Sequence, residues 1–370
     1  MSELGEIFRE FGGQFAERSG HALSSVQLKA LRDIAVCRTP AIERGGVYCC
    51  EDCGDIHFAW NSCGNRHCPK CGNDKISEWL EANRKKLLPV DYYMVTFTLP
   101  AGINKTACFN QKAVYDALFQ SSSEALKELA LDRRFLGGRI GMLGTLQTWR
   151  RDGGYHLHVH YIVPGGGISR DGKQWIYPKN RGFLVSSKPL ASLFKGKFKA
   201  EMKDCGIYEK IPVSAWEKDW VVDCRNVGGG MSSFKYLAPY MQRVFISNNR
   251  IEKCENKNVT FRYTRSKTNE TAHRTMPVMA FIAMFLMHVL PHGFMKTRYY
   301  GFLGSASANK LNAVRTMLLI SRTQPPADES VCSFNHSKCR ICGGQIVFQK
   351  TFDNRSGRGP PLDKIWARAS

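Results

Sequence analysis

The chain has 370 residues, 43% hydrophobic and 11% aromatic, enough to bury a substantial core, and its length accommodates two or three domains. Lysine and arginine number 53 against 32 acidic residues, a formal charge of +21, which points to a polyanionic partner, either nucleic acid or an anionic membrane surface. The membrane fits poorly, because the longest apolar run (278–290) contains His288 and is shorter than the ~20 residues that cross a bilayer. Met1-Ser2-Glu3-Leu4 is also not the basic-then-apolar start of a secretory signal, so the expectation is a cytoplasmic bacterial protein associated with the nucleoid.

Residues 1–44 read as basic helical material, with Val26, Leu28, Leu31, Ile34, Ala35 and Ile42 at helical intervals. A cysteine module over 46–73 follows, then a helix of mixed charge over 75–88 that Pro89 stops. The β-branched and aromatic run 92–99 predicts a strand ended by Pro100, and 110–131 predicts a helix. Residues 139–150 and 155–163 predict two strands joined at Asp152-Gly153-Gly154, where the glycines supply positive φ. Residues 164–182 read as loop, 189–205 as a basic helix and 220–224 as a short strand. Segments 258–265 and 271–277 can pair as a polar hairpin before an apolar helix over 278–290. From Asn354 the Gly/Pro/Arg-rich composition predicts disorder.

The 14 cysteines are clustered, in a long chain without a signal sequence, which favours metal ligation over a disulfide framework. Cys50-x2-Cys53 and Cys68-x2-Cys71 have the spacing of a four-cysteine zinc site, with Cys49, Cys63 and His67 as further candidate ligands. Such a module would scaffold a basic DNA-binding surface including Arg44, Arg66 and Lys70, or would be purely structural. Cys332-x3-His336-x2-Cys339-x2-Cys342 offers four ligands for a possible second zinc.

The most informative stretch is Tyr155-His156-Leu157-His158-Val159-His160-Tyr161-Ile162-Val163. Alternation in a strand places the three imidazoles on one face and Leu157, Val159 and Tyr161 on the other. Unpaired imidazoles in a core sheet are costly, so a divalent metal site is the better reading than decoration of an edge strand. Downstream, Tyr236 and Tyr240 stand at i, i+4 in Lys235-Tyr236-Leu237-Ala238-Pro239-Tyr240-Met241. Pro239 either kinks a helix between them or forces it to begin near residue 238.

Together these motifs resemble the His-hydrophobe-His (HUH) single-strand nucleases with two tyrosines, and specifically the rolling-circle transposases of bacterial insertion sequences. The resemblance covers most of the chain. It takes in Arg66-His67-Cys68-Pro69-Lys70-Cys71-Gly72, Leu146-Gln147-Thr148-Trp149, Val163-Pro164-Gly165-Gly166-Gly167 and Tyr236-Leu237-Ala238-Pro239-Tyr240. Ile246-Ser247-Asn248-Asn249-Arg250-Ile251, His288-Val289-Leu290-Pro291 and Arg298-Tyr299-Tyr300-Gly301-Phe302-Leu303 continue it.

The resemblance implies that His158 and His160, just before an apolar triplet, are the metal pair, with His156 orienting substrate or supporting the ligands. A third ligand is expected from a neighbouring element. Gln147, on the preceding strand, is the candidate, because antiparallel pairing can place it beside the histidines. Histidine is common at that position in the family, and glutamine favours an oxygen-loving ion, Mg²⁺ or Mn²⁺. Tyr236 and Tyr240 are the implied nucleophiles, forming a 5′-phosphotyrosine on single-stranded DNA at the ends or target of an insertion sequence. Lys235, Arg243 and Arg250, with Arg66, are expected to contact DNA.

The implied fold is α+β, an HUH-endonuclease-type antiparallel sheet flanked by helices with an N-terminal helical, zinc-binding module. The expected boundaries are 1–88 for that module, 89–305 for the nuclease and 306–370 for a C-terminal region. A plasmid replication initiator or relaxase would share the chemistry, although no Walker-type GxxxxGK[ST] accompanies it here. A non-catalytic zinc-finger DNA-binding protein would leave the histidine strand and the paired tyrosines unexplained.

Overall fold

The histidine-bearing strand is the middle of the largest sheet. The computed structural model describes residues 3–19, 22–84, 86–229, 244–265, 268–318 and 338–353. Helices α1 (Leu4–Ser19) and α2 (Ser25–Val36) lead into the hairpin β1 (Arg44–Cys50) and β2 (Ile56–Trp60), then α3 (Pro69–Arg84). Strand β3 (Asp91–Thr98), helices α4 (Asn104–Phe109) and α5 (Gln111–Leu131), and strands β4 (Met142–Trp149) and β5 (Tyr155–Pro164) follow. The short pair β6 (Gly167–Ile168) and β7 (Trp175–Ile176), helices α6 (Ser187–Asp204) and α7 (Val213–Glu217), and strand β8 (Val221–Gly229) come next. The later part holds β9 (Ile251–Glu255), β10 (Asn258–Thr264), β11 (Thr271–Pro277), α8 (Val278–Met287), β12 (Thr297–Tyr300), α9 (Ala308–Met317) and β13 (Ile346–Asp353).

The class is α+β, with antiparallel sheets flanked by helices, as the sequence implies. The five-stranded sheet runs β12-β4-β5-β3-β8. The apolar side of β5 is fully buried: Leu157, Val159 and Tyr161 pack with Leu118 and Phe119 of α5 and Phe194 and Phe198 of α6. Burying each such side chain contributes about 1.5–3 kcal/mol. The buried Tyr161 hydroxyl is matched by Ser122 Oγ at 2.8 Å. Gly144 lies opposite Tyr161, and a Cβ there would fall 2.5 Å from the ring, so β4 needs glycine at that point.

The β4–β5 turn forms at the expected place, but only Gly153 adopts positive φ (+91°). Gly154, expected to share that conformation, instead donates its N–H to Asp152 Oδ1 at 3.0 Å, a side-chain turn.

Helices α1 and α2 form a second core with α8 and the sheet β11-β10-β9, in which Phe8 meets Phe285 edge to face at 5.1 Å. The Ser24–Gln27 capping box starts α2. The expected polar hairpin is present as β10 and β11, with β9 as an unanticipated third strand. A third sheet, β13-β1-β2, was also unanticipated: β13, near the C-terminus, pairs antiparallel with β1. The expected disordered tail from Asn354 lies outside the described residues. Among the described residues no helix is long and apolar enough to cross a membrane.

Candidate metal sites

Strand register assembles the histidine face. His158 is paired with Gln147 on β4 and Thr98 on β3, and His160 with Thr145 and Thr96. Directly paired residues share a face. His158 Nε2 lies 3.2 Å from Gln147 Oε1, and His158 Nδ1 lies 3.1 Å from the His156 carbonyl oxygen. Both neighbours are carbonyl oxygens, which only accept, so either nitrogen of His158 can carry the proton of the neutral ring. His160 Nδ1 is 2.9 Å from Thr96 Oγ1, which sets the orientation of the ring. The His156–His158 and His158–His160 ring centroids are 5.2 and 4.8 Å apart.

Burial, the largest cause, pushes all three imidazoles down, His158 to about 4 and His160 well below its ordinary value. They are therefore neutral at physiological pH, the form that ligates metal. On β8, Asp223 is paired with Thr96 and forms an ion pair with Arg225 at 3.5 Å, bringing a carboxylate and a cation to the rim of the same face. Sequence reasoning missed Thr96 and Asp223. Their only signal is strand alternation, which becomes useful once the pairing of β3 with β5 and β8 is known.

Tyr236, Tyr240, Lys235 and Arg243 lie outside the described residues. The described chain stops at Gly229, beside Asp91 at one end of β3, and resumes at Val244. Phe245 then packs on Trp149 at the opposite end of the sheet. Two arginines expected on DNA hold backbone carbonyls. Arg66 donates to Pro291 (2.8 Å), Leu290 and Phe294, and Arg250 donates to Arg151 (2.7 Å) and Arg262 (3.0 Å). Guanidinium donors of this kind satisfy backbone carbonyls that secondary structure leaves open.

The four cysteines expected to share one zinc are divided between two clusters. Cys68 and Cys71, at the start of α3, meet Cys37 and Cys63. Cys50 and Cys53 lie at the tip of the β1–β2 hairpin and meet Cys339 and Cys342. The reason is the hairpin itself: β1 carries its tip roughly 20 Å from its base at about 3.3 Å per residue, while Cys63 follows β2 back to the base. Cys332 and His336 lie outside the described residues. Cys49 donates to the Gly54 carbonyl at 3.5 Å, and His67 Nε2 accepts the Leu290 N–H at 3.3 Å, so neither faces a cluster.

In the first cluster Cys37 Sγ and Cys63 Sγ stand 3.7 and 3.6 Å from Cys71 Sγ. Four sulfurs at 2.3 Å from a tetrahedral zinc would be separated by about 3.8 Å.

A family model described as "Transposase zinc-binding domain" matches residues 7–99, and one described as "Putative transposase" matches residues 141–310. A protein of Sinorhizobium fredii named "Putative transposase y4qJ" is 34% identical over 97% of each chain. The chain belongs to the IS91 family of insertion-sequence transposases. The transposase for insertion sequence element IS801 of Pseudomonas savastanoi pv. phaseolicola is 23% identical over 92% of this chain and 88% of its own. A transposase acts on DNA as a strand-cleaving enzyme, which accounts for the charge of +21. The zinc-binding match and the four-thiol geometry support structural Zn²⁺ in the N-terminal module of this transposase.

Proposed function

We propose that this transposase nicks and rejoins single DNA strands through a 5′-phosphotyrosine intermediate, moving its insertion sequence by a rolling-circle-like mechanism. Tyr236 and Tyr240 are the nucleophiles, and His158, His160 and Gln147 hold Mg²⁺ or Mn²⁺. One observation carries the reading: strand pairing brings Gln147 Oε1 to 3.2 Å from His158 Nε2 and sets His160 beside them on the same face, its ring centroid 4.8 Å from that of His158. Adjacent ligands of an octahedral ion with bonds near 2.1 Å are about 3 Å apart, so the pair fits one ion.

A bound divalent ion supplies Lewis-acid withdrawal of charge from a phosphodiester oxygen. The rest is done by side chains. Thr96 fixes the His160 ring, and the His156 carbonyl and the Gln147 amide oxygen hold the His158 ring from its two nitrogens. A phenol is only about one part in a thousand ionised at neutral pH, so attack needs a proton acceptor beside the scissile phosphate. Ester formation on tyrosine releases a 3′-hydroxyl and conserves the bond energy for rejoining. The second tyrosine allows a second cut before the first is resolved.

The test is covalent-adduct formation on single-stranded oligonucleotides from the element's ends, with Mg²⁺ or Mn²⁺ supplied. Tyr236→Phe and Tyr240→Phe should each still form an adduct through the remaining tyrosine, and the double variant none. An adduct in the double variant, mapped by mass spectrometry to another tyrosine such as Tyr299, would overturn the assignment.

A further inference from the structure

The second cysteine cluster joins residues almost three hundred positions apart. Cys50 Sγ is 3.5 Å from Cys342 Sγ, and Cys53 Sγ is 3.7 Å from Cys339 Sγ. All four sulfurs lie within 4.8 Å of one another, again close to the edge of about 3.8 Å expected for four thiolates on zinc.

The two halves are built alike. Each is a Cys-x-x-Cys-Gly turn whose glycine has positive φ, Gly54 at +73° and Gly343 at +78°. In each, that glycine's N–H returns to the carbonyl of the first cysteine at 3.0 Å. In each, the first cysteine's own N–H binds a carbonyl just beyond the turn, Cys50 to Asp55 at 2.9 Å and Cys339 to Gly344 at 2.7 Å.

Backbone amides already point at the sulfurs as they would at thiolates. Ile341 N–H donates to Cys339 Sγ and Gly344 N–H to Cys342 Sγ, both at 3.4 Å. His57 Nε2 lies 3.2 Å from both Cys339 Sγ and the Asp55 carboxylate, at the edge of the cluster. The turns are in direct contact: Glu51 N–H donates to the Gln345 carbonyl at 3.0 Å, and a Cβ on Gly344 would overlap the Asp52 carboxylate.

We infer that Cys50, Cys53, Cys339 and Cys342 form a second structural Zn²⁺ site, whose ion fastens the C-terminal residues 338–353 to the β1–β2 hairpin and so completes the zinc module from both ends of the chain. Thiolates select zinc over the hard ion of the catalytic site, and each thiol releases its proton on binding. The site supplies the reason that β13 can pair with β1 as an outer strand far from its neighbours in sequence. The family match ends at residue 99 and so contains only half of these ligands. The inference is independent of the tyrosine chemistry.

The experiment counts zinc in the full chain purified without added metal or chelator, by native mass spectrometry under non-reducing conditions. Two zinc ions per chain are expected, falling to one in Cys339→Ser/Cys342→Ser. In a second arm, a protease site is placed between residues 318 and 338 and cleaved. The C-terminal piece should co-elute with the remainder until a chelator is added, and then separate. A single zinc in the unaltered chain, a double variant that still holds two, a mass lower by the hydrogens lost to disulfides, or a piece that stays attached after chelation would each overturn the site.

Discussion

His158 and Gln147, on adjacent strands, approach with the imidazole Nε2 3.2 Å from the amide oxygen. In the proposed site both atoms are ligands of one divalent ion. Replacing His158 by alanine should therefore reduce oligonucleotide nicking by more than the 10–100-fold typical of losing an outer partner. DNA binding, measured by gel shift, should remain nearly intact. Undiminished cleavage by His158→Ala would remove this residue from the site.

Thr96 gives a finer test, because its hydroxyl meets the ring of His160 at 2.9 Å. In Thr96→Ala the ring loses the partner that sets its orientation. The divalent-ion concentration for half-maximal nicking should rise about 10–100-fold, while the rate at saturating ion changes less. A lowered plateau with an unchanged metal requirement would show that Thr96 acts elsewhere.

How much of this was legible in the sequence depended on range. The histidine strand, its hairpin partner with Gln147, and the β10–β11 hairpin were readable, because period-2 alternation and turn residues are local signals. The cysteine partnership was not. Cys53 and Cys339 are 286 positions apart, and Cys37 stands alone at the end of a helix, so no spacing rule links either to its cluster. Short strands such as β12, four residues long, are defined by their neighbours rather than by their own pattern. The carbonyls that Arg66 and Arg250 hold, such as those of Pro291 and Arg151, lie far from them in the chain, so these contacts were not legible from charge alone.

Cys37 joins Cys63, Cys68 and Cys71 although no sequence spacing links it to them, and its part in the zinc site can be tested directly. Cys37→Ser should lower the zinc count by one per chain and make the α2–α3 region sensitive to protease, because structural zinc supplies folding free energy. Cys49→Ser, whose sulfur points to the Gly54 carbonyl, should change neither readout. An unchanged zinc count in Cys37→Ser would exclude it as a ligand.

His288, part of the His-Val-Leu-Pro motif, is a buried anchor. Its Nε2–H donates to the Gly153 carbonyl at 3.1 Å, so Nδ1 accepts from the Thr148 hydroxyl at 3.0 Å. The ring stacks on Tyr155 and borders a cavity shared with His67, Arg66 and Lys296. Burial lowers its pKa to about 4, so between that value and 6.5 the unfolded chain binds the proton more readily than the folded one. Stability therefore falls as the solution is acidified through this window, by about 2 kcal/mol from this residue at pH 5 relative to pH 8. His288→Gln can keep both hydrogen bonds without titrating. Its thermal unfolding midpoint should fall less steeply from pH 7 to pH 5 than that of the unaltered protein, with His67 and the three imidazoles of β5 supplying the remaining slope. Equal slopes for the two proteins would show that His288 keeps an ordinary pKa in the folded state.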